Sequence, residues 1–225
     1  MQQGRTTPER AGRLCEKSPG HLVAAALAGA WREQPPAGCA VEFEQVVPLL
    51  LASGSAGLGW WRVRHSELKA SAVGLELQQA YRFSVLRAAF LRSQIKDTIT
   101  LLRSGGVEPV LVKGWAVARL YPDQGLRPYG DIDLCVMPQQ YRQAAKLLKI
   151  AEGMDYPADL HNGFRNLADE SPEELYERSQ TVELDGIAVR VAAPEDHLRI
   201  LALHMLRHGV SRPLWLCDVA VALES

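Results

Sequence analysis

Charge of one sign, paired cysteines and long apolar runs are all scarce in this 225-residue chain. Its 25 lysines and arginines stand against 26 aspartates and glutamates, a formal net charge of −1. Without a global basic field, contact with a polynucleotide has to rest on a local patch, and DNA is not expected as a partner. The four cysteines, Cys15, Cys39, Cys135 and Cys217, show no CxxC spacing, and the chain is too large to need disulfide staples. Reduced thiols and a cytoplasmic location follow as expectations. The apolar stretch from His21 to Ala30 is too short to span a bilayer and lacks a basic flank with a cleavage motif. Neither a membrane partner nor a secretory leader is expected. His204 and His208 have the spacing of helical zinc ligands, but no HExxH glutamate accompanies them, so they read as core or surface histidines.

What is present is enough apolar residue, 47%, to bury a real core as one domain or two small ones. Residues 1–20 are polar and rich in Arg and Gly, the pattern of a disordered tail. Helical periodicity follows. Leu22, Val23, Ala26, Leu27 and Ala30 share one face, Val46 to Leu51 mark a second helix around Pro48, and Gly54, Gly57 and Gly59 then break the chain. The longest periodic segment runs from Ser71 to Arg103, with Leu75, Leu77, Tyr81, Val85, Leu86, Ala89, Phe90, Ile95, Ile99 and Leu102 near a 3.6-residue repeat. Ser104-Gly105-Gly106 ends it.

From there the signal changes type. Val107 to Val112 is β-rich, Ala116 to Leu120 is a short helix, and Tyr121 to Gly130 is a loop. Asp131 to Met137 is a second strand, Pro138 to Lys149 a helix opened by proline, and Asp185-Gly186 the turn of a hairpin. Helices resume at Ala193. Strand, helix, loop, strand, helix and hairpin together imply an α+β core.

The most telling tripeptide is Asp131-Ile132-Asp133. On a strand, Asp131 and Asp133 point one way and Ile132 the other, so two carboxylates share one rigid face. Such a pair suits a hard divalent cation, and Mg²⁺ usually takes one or two carboxylates plus substrate phosphates. Lys113-Gly114 and Arg127 stand upstream. A glycine at a turn lets backbone N–H groups approach a phosphate, Lys113 adds a point charge, and the Arg127 guanidinium can fork onto phosphate oxygens. The blander reading is a solvated strand end.

The runs Val110-Leu111-Val112-Lys113-Gly114-Trp115-Ala116, Leu120-Tyr121-Pro122-Asp123 and Arg127-Pro128-Tyr129-Gly130-Asp131-Ile132-Asp133-Leu134 resemble the signature of the uncharacterised nucleotidyltransferase family of the DNA polymerase β superfamily. Asp159-Leu160-His161, Pro194 to Leu198, Leu203-His204 and Leu216-Cys217-Asp218 resemble that family's later elements. The resemblance implies a minimal nucleotidyltransferase core, a small mixed sheet with flanking helices, over 106–191. A helical region over 21–105 would precede it and C-terminal helices over 192–225 would follow. It implies Mg²⁺ or Mn²⁺ at Asp131 and Asp133, and a nucleoside triphosphate held by Lys113, Gly114 and Arg127. The implied reaction moves a nucleoside monophosphate to an acceptor and releases pyrophosphate, the acceptor being a small molecule, a protein or an RNA end. A third carboxylate is needed on the acceptor side. Asp159 takes that place by motif position, with Asp155, Glu183 and Asp185 as rivals, because roughly 25 residues from Asp133 is short for the helix and strands that have to fit there. Two other readings stay open: an inactive nucleotide-binding module of the same fold with a regulatory or interaction role, and an unrelated helical scaffold.

Overall fold

A computed structural model describes residues 18–34, 43–150 and 158–225. Cys15, Cys39, Asp155 and most of the expected tail lie outside the described residues. Helices α1 (Pro19–Leu27), α2 (Phe43–Ala52) and α3 (Ala56–Val63) precede the long α4 (Ala72–Ser104). The mixed sheet then interleaves with helices: β1 (Val110–Leu111), α5 (Gly114–Ala118), β2 (Ile132–Val136), α6 (Tyr141–Ile150), β3 (Ala158–Asn162), α7 (Pro172–Glu177), β4 (Gln180–Leu184) and β5 (Ile187–Val191). Helices α8 (Pro194–Arg207) and α9 (Pro213–Glu224) end the chain. This is the α+β, small-sheet architecture that the sequence implied.

Two glycines expected to break the chain lie inside α3 instead. They serve close approach: a Cβ on Gly57 would stand 2.4 Å from the Gly125 carbonyl, and one on Gly59 would stand 2.8 Å from Leu50 Cδ1. The helical stripe expected along α4 also shifts. Leu77, Leu91, Ile95, Ile99 and Leu102 are buried, but Leu75, Leu86 and Phe90 are 55%, 70% and 64% exposed. The buried line instead passes through Gly74, Ala88 and Thr98, small residues that let α4 lie close to its neighbours. Ser71 caps this helix, its hydroxyl accepting from the Gly74 N–H at 3.1 Å.

The five-stranded sheet of the described residues has the order β3-β2-β1-β5-β4. β1 runs antiparallel to β2 and parallel to β5, while β2 and β3 are parallel. Asp185 and Gly186 turn the β4–β5 hairpin with φ of 46° and 85°. Alternation sends Leu111, Ile132, Leu134 and Val136 to the face packed against α4 and α6. Val110, Val112 and Cys135 face the other way, toward Leu175 of α7 and Ile200 of α8. Asp133 shares that second face. Cys135 and Cys217 are buried free thiols, and no helix of the described residues is long and apolar enough to cross a membrane.

Candidate active site

Because β2 is paired on both sides, its Asp133 carboxylate is drawn into the interior and is only 3% exposed. A buried charge needs partners. The Lys113 ammonium pairs with Asp133 Oδ1, and His161 Nε2 lies 3.2 Å from the same oxygen. Burial works to raise the Asp133 pKa, but the His161 hydrogen bond and the Lys113 charge outweigh it, so the carboxyl sits below its ordinary value. It is ionised at neutral pH, with the Lys113 ammonium as its counter-charge.

The parallel register sets Asp159 opposite Asp133 and His161 opposite Cys135, so these side chains share one sheet face. Asp159-Leu160-His161 therefore lies on a strand. His161 Nε2 is also 3.4 Å from Asp159 Oδ2, and the ligand atoms of Asp133, Asp159 and His161 all lie within 4.8 Å of one another. Their carboxylate oxygens suit a hard divalent cation, and the imidazole hydrogen-bonds to Asp133 and lies close to Asp159. The group could hold a metal ion. Asp159, at the edge strand, is exposed where Asp133 is not.

Asp131 ends the loop just before β2 and lies outside that group of three. It stands on the lip of the cleft beside Asp133, and partial desolvation and then the Asp133 charge raise its pKa. Lys113 and Gly114 carry successive positive φ of 53° and 42°. A side chain is strained at such a φ, and a Cβ on Gly114 would stand 3.2 Å from the Asp131 carbonyl. The turn is thus pressed against the start of β2.

Arg127 is not a free arm. Its Nε and Nη2 donate to the Asp218 carboxylate at 3.2 and 2.9 Å, and the Tyr121 hydroxyl donates to the same carboxylate at 2.8 Å. Burial would lower the Arg127 pKa, but Asp218 more than offsets it and the net shift is upward. Arg127 still lines a cleft of about 440 Å³ with Lys113, Gly114, Asp131 and Asp133. Of the rival third carboxylates, Glu183 and Asp185 border a different cleft, and Asp185 pairs with Arg92 at 3.0 Å.

The sequence reading missed three features. His161 sits between two carboxylates, and only its place beside Asp159 hinted at that. Asp218 is the partner of Arg127, and an aspartate set in the apolar run of α9 was the signal, since a buried charge has to find a counter-ion. His204, His208 and Trp215 form the third, with ring centroids 4.6 Å apart between the histidines and 5.0 Å from His204 to Trp215. They wall the cleft. Burial, then the Lys113 charge, pushes the His204 pKa down to about 4, so it is neutral there.

A small mixed sheet with flanking helices, carrying carboxylates on two neighbouring strands beside a tight lysine–glycine turn, fits a nucleotidyltransferase core. The model of an uncharacterised nucleotidyltransferase family matches residues 40–166 and 155–225, and the chain belongs to that family. No curated protein and no solved structure matches it.

Proposed function

We propose that the protein transfers a nucleoside monophosphate from a nucleoside triphosphate to an acceptor hydroxyl, with release of pyrophosphate. The observation that carries this reading is the meeting of Asp133, Asp159 and His161 within 4.8 Å, next to the Lys113-Gly114 turn. Asp131, Asp133 and Asp159 would hold Mg²⁺ or Mn²⁺ together with the triphosphate, His161 setting the orientation of the last two. A bound divalent ion supplies neutralisation of the charge that develops on the attacking and leaving oxygens. Lys113 and Gly114 cradle the phosphates, and Arg127, aimed by Asp218, adds a fixed positive charge to the cleft wall. Asp159 takes the acceptor hydroxyl proton as that oxygen bonds to the α-phosphorus and the bond to pyrophosphate breaks.

A second reading, a nucleotide-binding module without turnover, is favoured by the Lys113 ammonium, which already neutralises Asp133. Pyrophosphate release separates the two. With nucleoside triphosphate, Mn²⁺ and a panel of hydroxyl acceptors, the enzyme reading expects pyrophosphate from the parent, loss of turnover in Asp159→Asn, and nucleotide binding kept in that variant. Nucleotide binding without pyrophosphate release across the panel would favour the module.

A further inference from the structure

Two clefts meet at the carboxylates. The first, about 440 Å³, is bordered by Asp133, Gly114 and Arg127 but not by Asp159. The second, about 390 Å³, is bordered by Asp159 and His161 but not by Asp133. Lys113, Asp131, His204 and His208 line both. Two substrates of an in-line transfer need adjoining sites on either side of the reacting phosphorus. Of the residues proposed to hold the triphosphate, Gly114 and Arg127 border only the first cleft, which leaves the second for the acceptor.

The chemistry of the second cleft is specific. Its apolar surface comes from Val112, Cys135, Phe164 and Ile200, and its polar side chains include Arg165, Asn166 and Arg207. Among the described residues Arg165 and Arg207 have no ion-pair partner, whereas Arg103, Arg178 and Arg199 are all engaged by carboxylates. The acids on this cleft are Asp131 and Asp159. Two guanidiniums in no ion pair and an amide, lining a space sized for a small molecule, match an oxyanion.

We propose that the second cleft binds the acceptor, and that the acceptor is a small hydroxyl compound carrying a phosphate or carboxylate group. Arg165 and Arg207 take the anion, Asn166 adds an amide donor, and the hydroxyl lies beside Asp159. This rests on the nucleotidyl-transfer reading above.

The test measures binding without reaction. The full chain is loaded with Mg²⁺ and a non-transferable α,β-methylene nucleoside triphosphate, then titrated with glycerol 3-phosphate, glycerate and glycerol. At least one of the two anions is expected to bind about tenfold more tightly than glycerol, and Arg165→Ala and Arg207→Ala are each expected to weaken that anion by about tenfold. Which anion binds better separates a phosphate-bearing from a carboxylate-bearing acceptor. Equal binding of glycerol and both anions, or anion affinity unchanged in both variants, would overturn the proposal. So would loss of nucleotide affinity rather than anion affinity in the variants, since that would assign the arginines to the triphosphate. Failure of the wild-type protein to bind nucleotide with Mg²⁺ is read in the loading step, and it counts against the nucleotidyl-transfer reading itself.

Discussion

Replacing Asp218 by alanine should be among the most damaging single changes outside the apolar core. The carboxylate is 1% exposed and Arg127 is 9% exposed. Alanine removes the acceptor for Arg127 Nε at 3.2 Å, for Nη2 at 2.9 Å and for the Tyr121 hydroxyl at 2.8 Å, and leaves a buried guanidinium with no hydrogen-bonded counter-charge, only the electrostatic pull of Asp131. Breaking a buried pair in this way costs about 3 to 5 kcal/mol, a large share of a domain's usual stability. Tyr121→Phe loses one hydrogen bond to the charged carboxylate and should cost about 1.5 to 3 kcal/mol. Urea unfolding at neutral pH, followed by tryptophan fluorescence and circular dichroism together, gives these differences directly. The double variant Arg127→Met with Asp218→Leu should recover most of the loss, because no unpaired charge then remains. If Asp218→Ala cost no more than Tyr121→Phe, the buried pair would not be the anchor of the 119–130 loop.

Further outcomes follow from the same geometry. Lys113→Met leaves the buried Asp133 with His161 alone and should lower stability by about 1 to 3 kcal/mol in metal-free buffer, with a larger Mn²⁺-induced rise in Tm than the parent shows. Gly57→Ala sets a methyl 2.4 Å from the Gly125 carbonyl and should cost about 1 to 3 kcal/mol by urea unfolding. Burial, then the Arg119 charge, pushes the His197 pKa from 6.5 down to about 4. Below pH 6.5 the unfolded chain takes up a proton that the folded chain refuses, so this histidine's contribution is full above pH 6.5 and falls away as the pH drops toward 4. The loss is on the order of 3 kcal/mol, and His197→Leu should reduce the slope of that part of the urea-midpoint profile, the remainder coming from His204, which is also pushed down to about 4.

Features with local causes were legible in the sequence. The extent of α4, the Asp185-Gly186 hairpin and the α+β order all rest on residues within a few positions of one another. The candidate site was legible in part. Asp133 and Asp159 meet because β2 and β3 pair in parallel register; the family resemblance pointed to Asp159 by motif position, although the short spacing counted against it and the sequence of β3 is polar and weakly β-forming. What stayed hidden depends on distant partners. Arg127 and Asp218 are 91 positions apart, and no periodicity reports such a pair. Gly57 and Gly59 resemble chain breaks until the Gly125 backbone and Leu50 are seen against them. Phe90 counts as core by its type, yet the side of α4 that carries it faces solvent.

Asp133 and Asp159 are proposed to hold a divalent ion with the triphosphate. Electron paramagnetic resonance of free Mn²⁺, titrated with protein in the presence and absence of a non-transferable nucleoside triphosphate, measures this directly. Mn²⁺ uptake is expected to tighten with nucleotide in the parent, to be abolished in Asp133→Asn and to be weakened in Asp159→Asn. Uptake by Asp133→Asn equal to that of the parent would contradict the proposal.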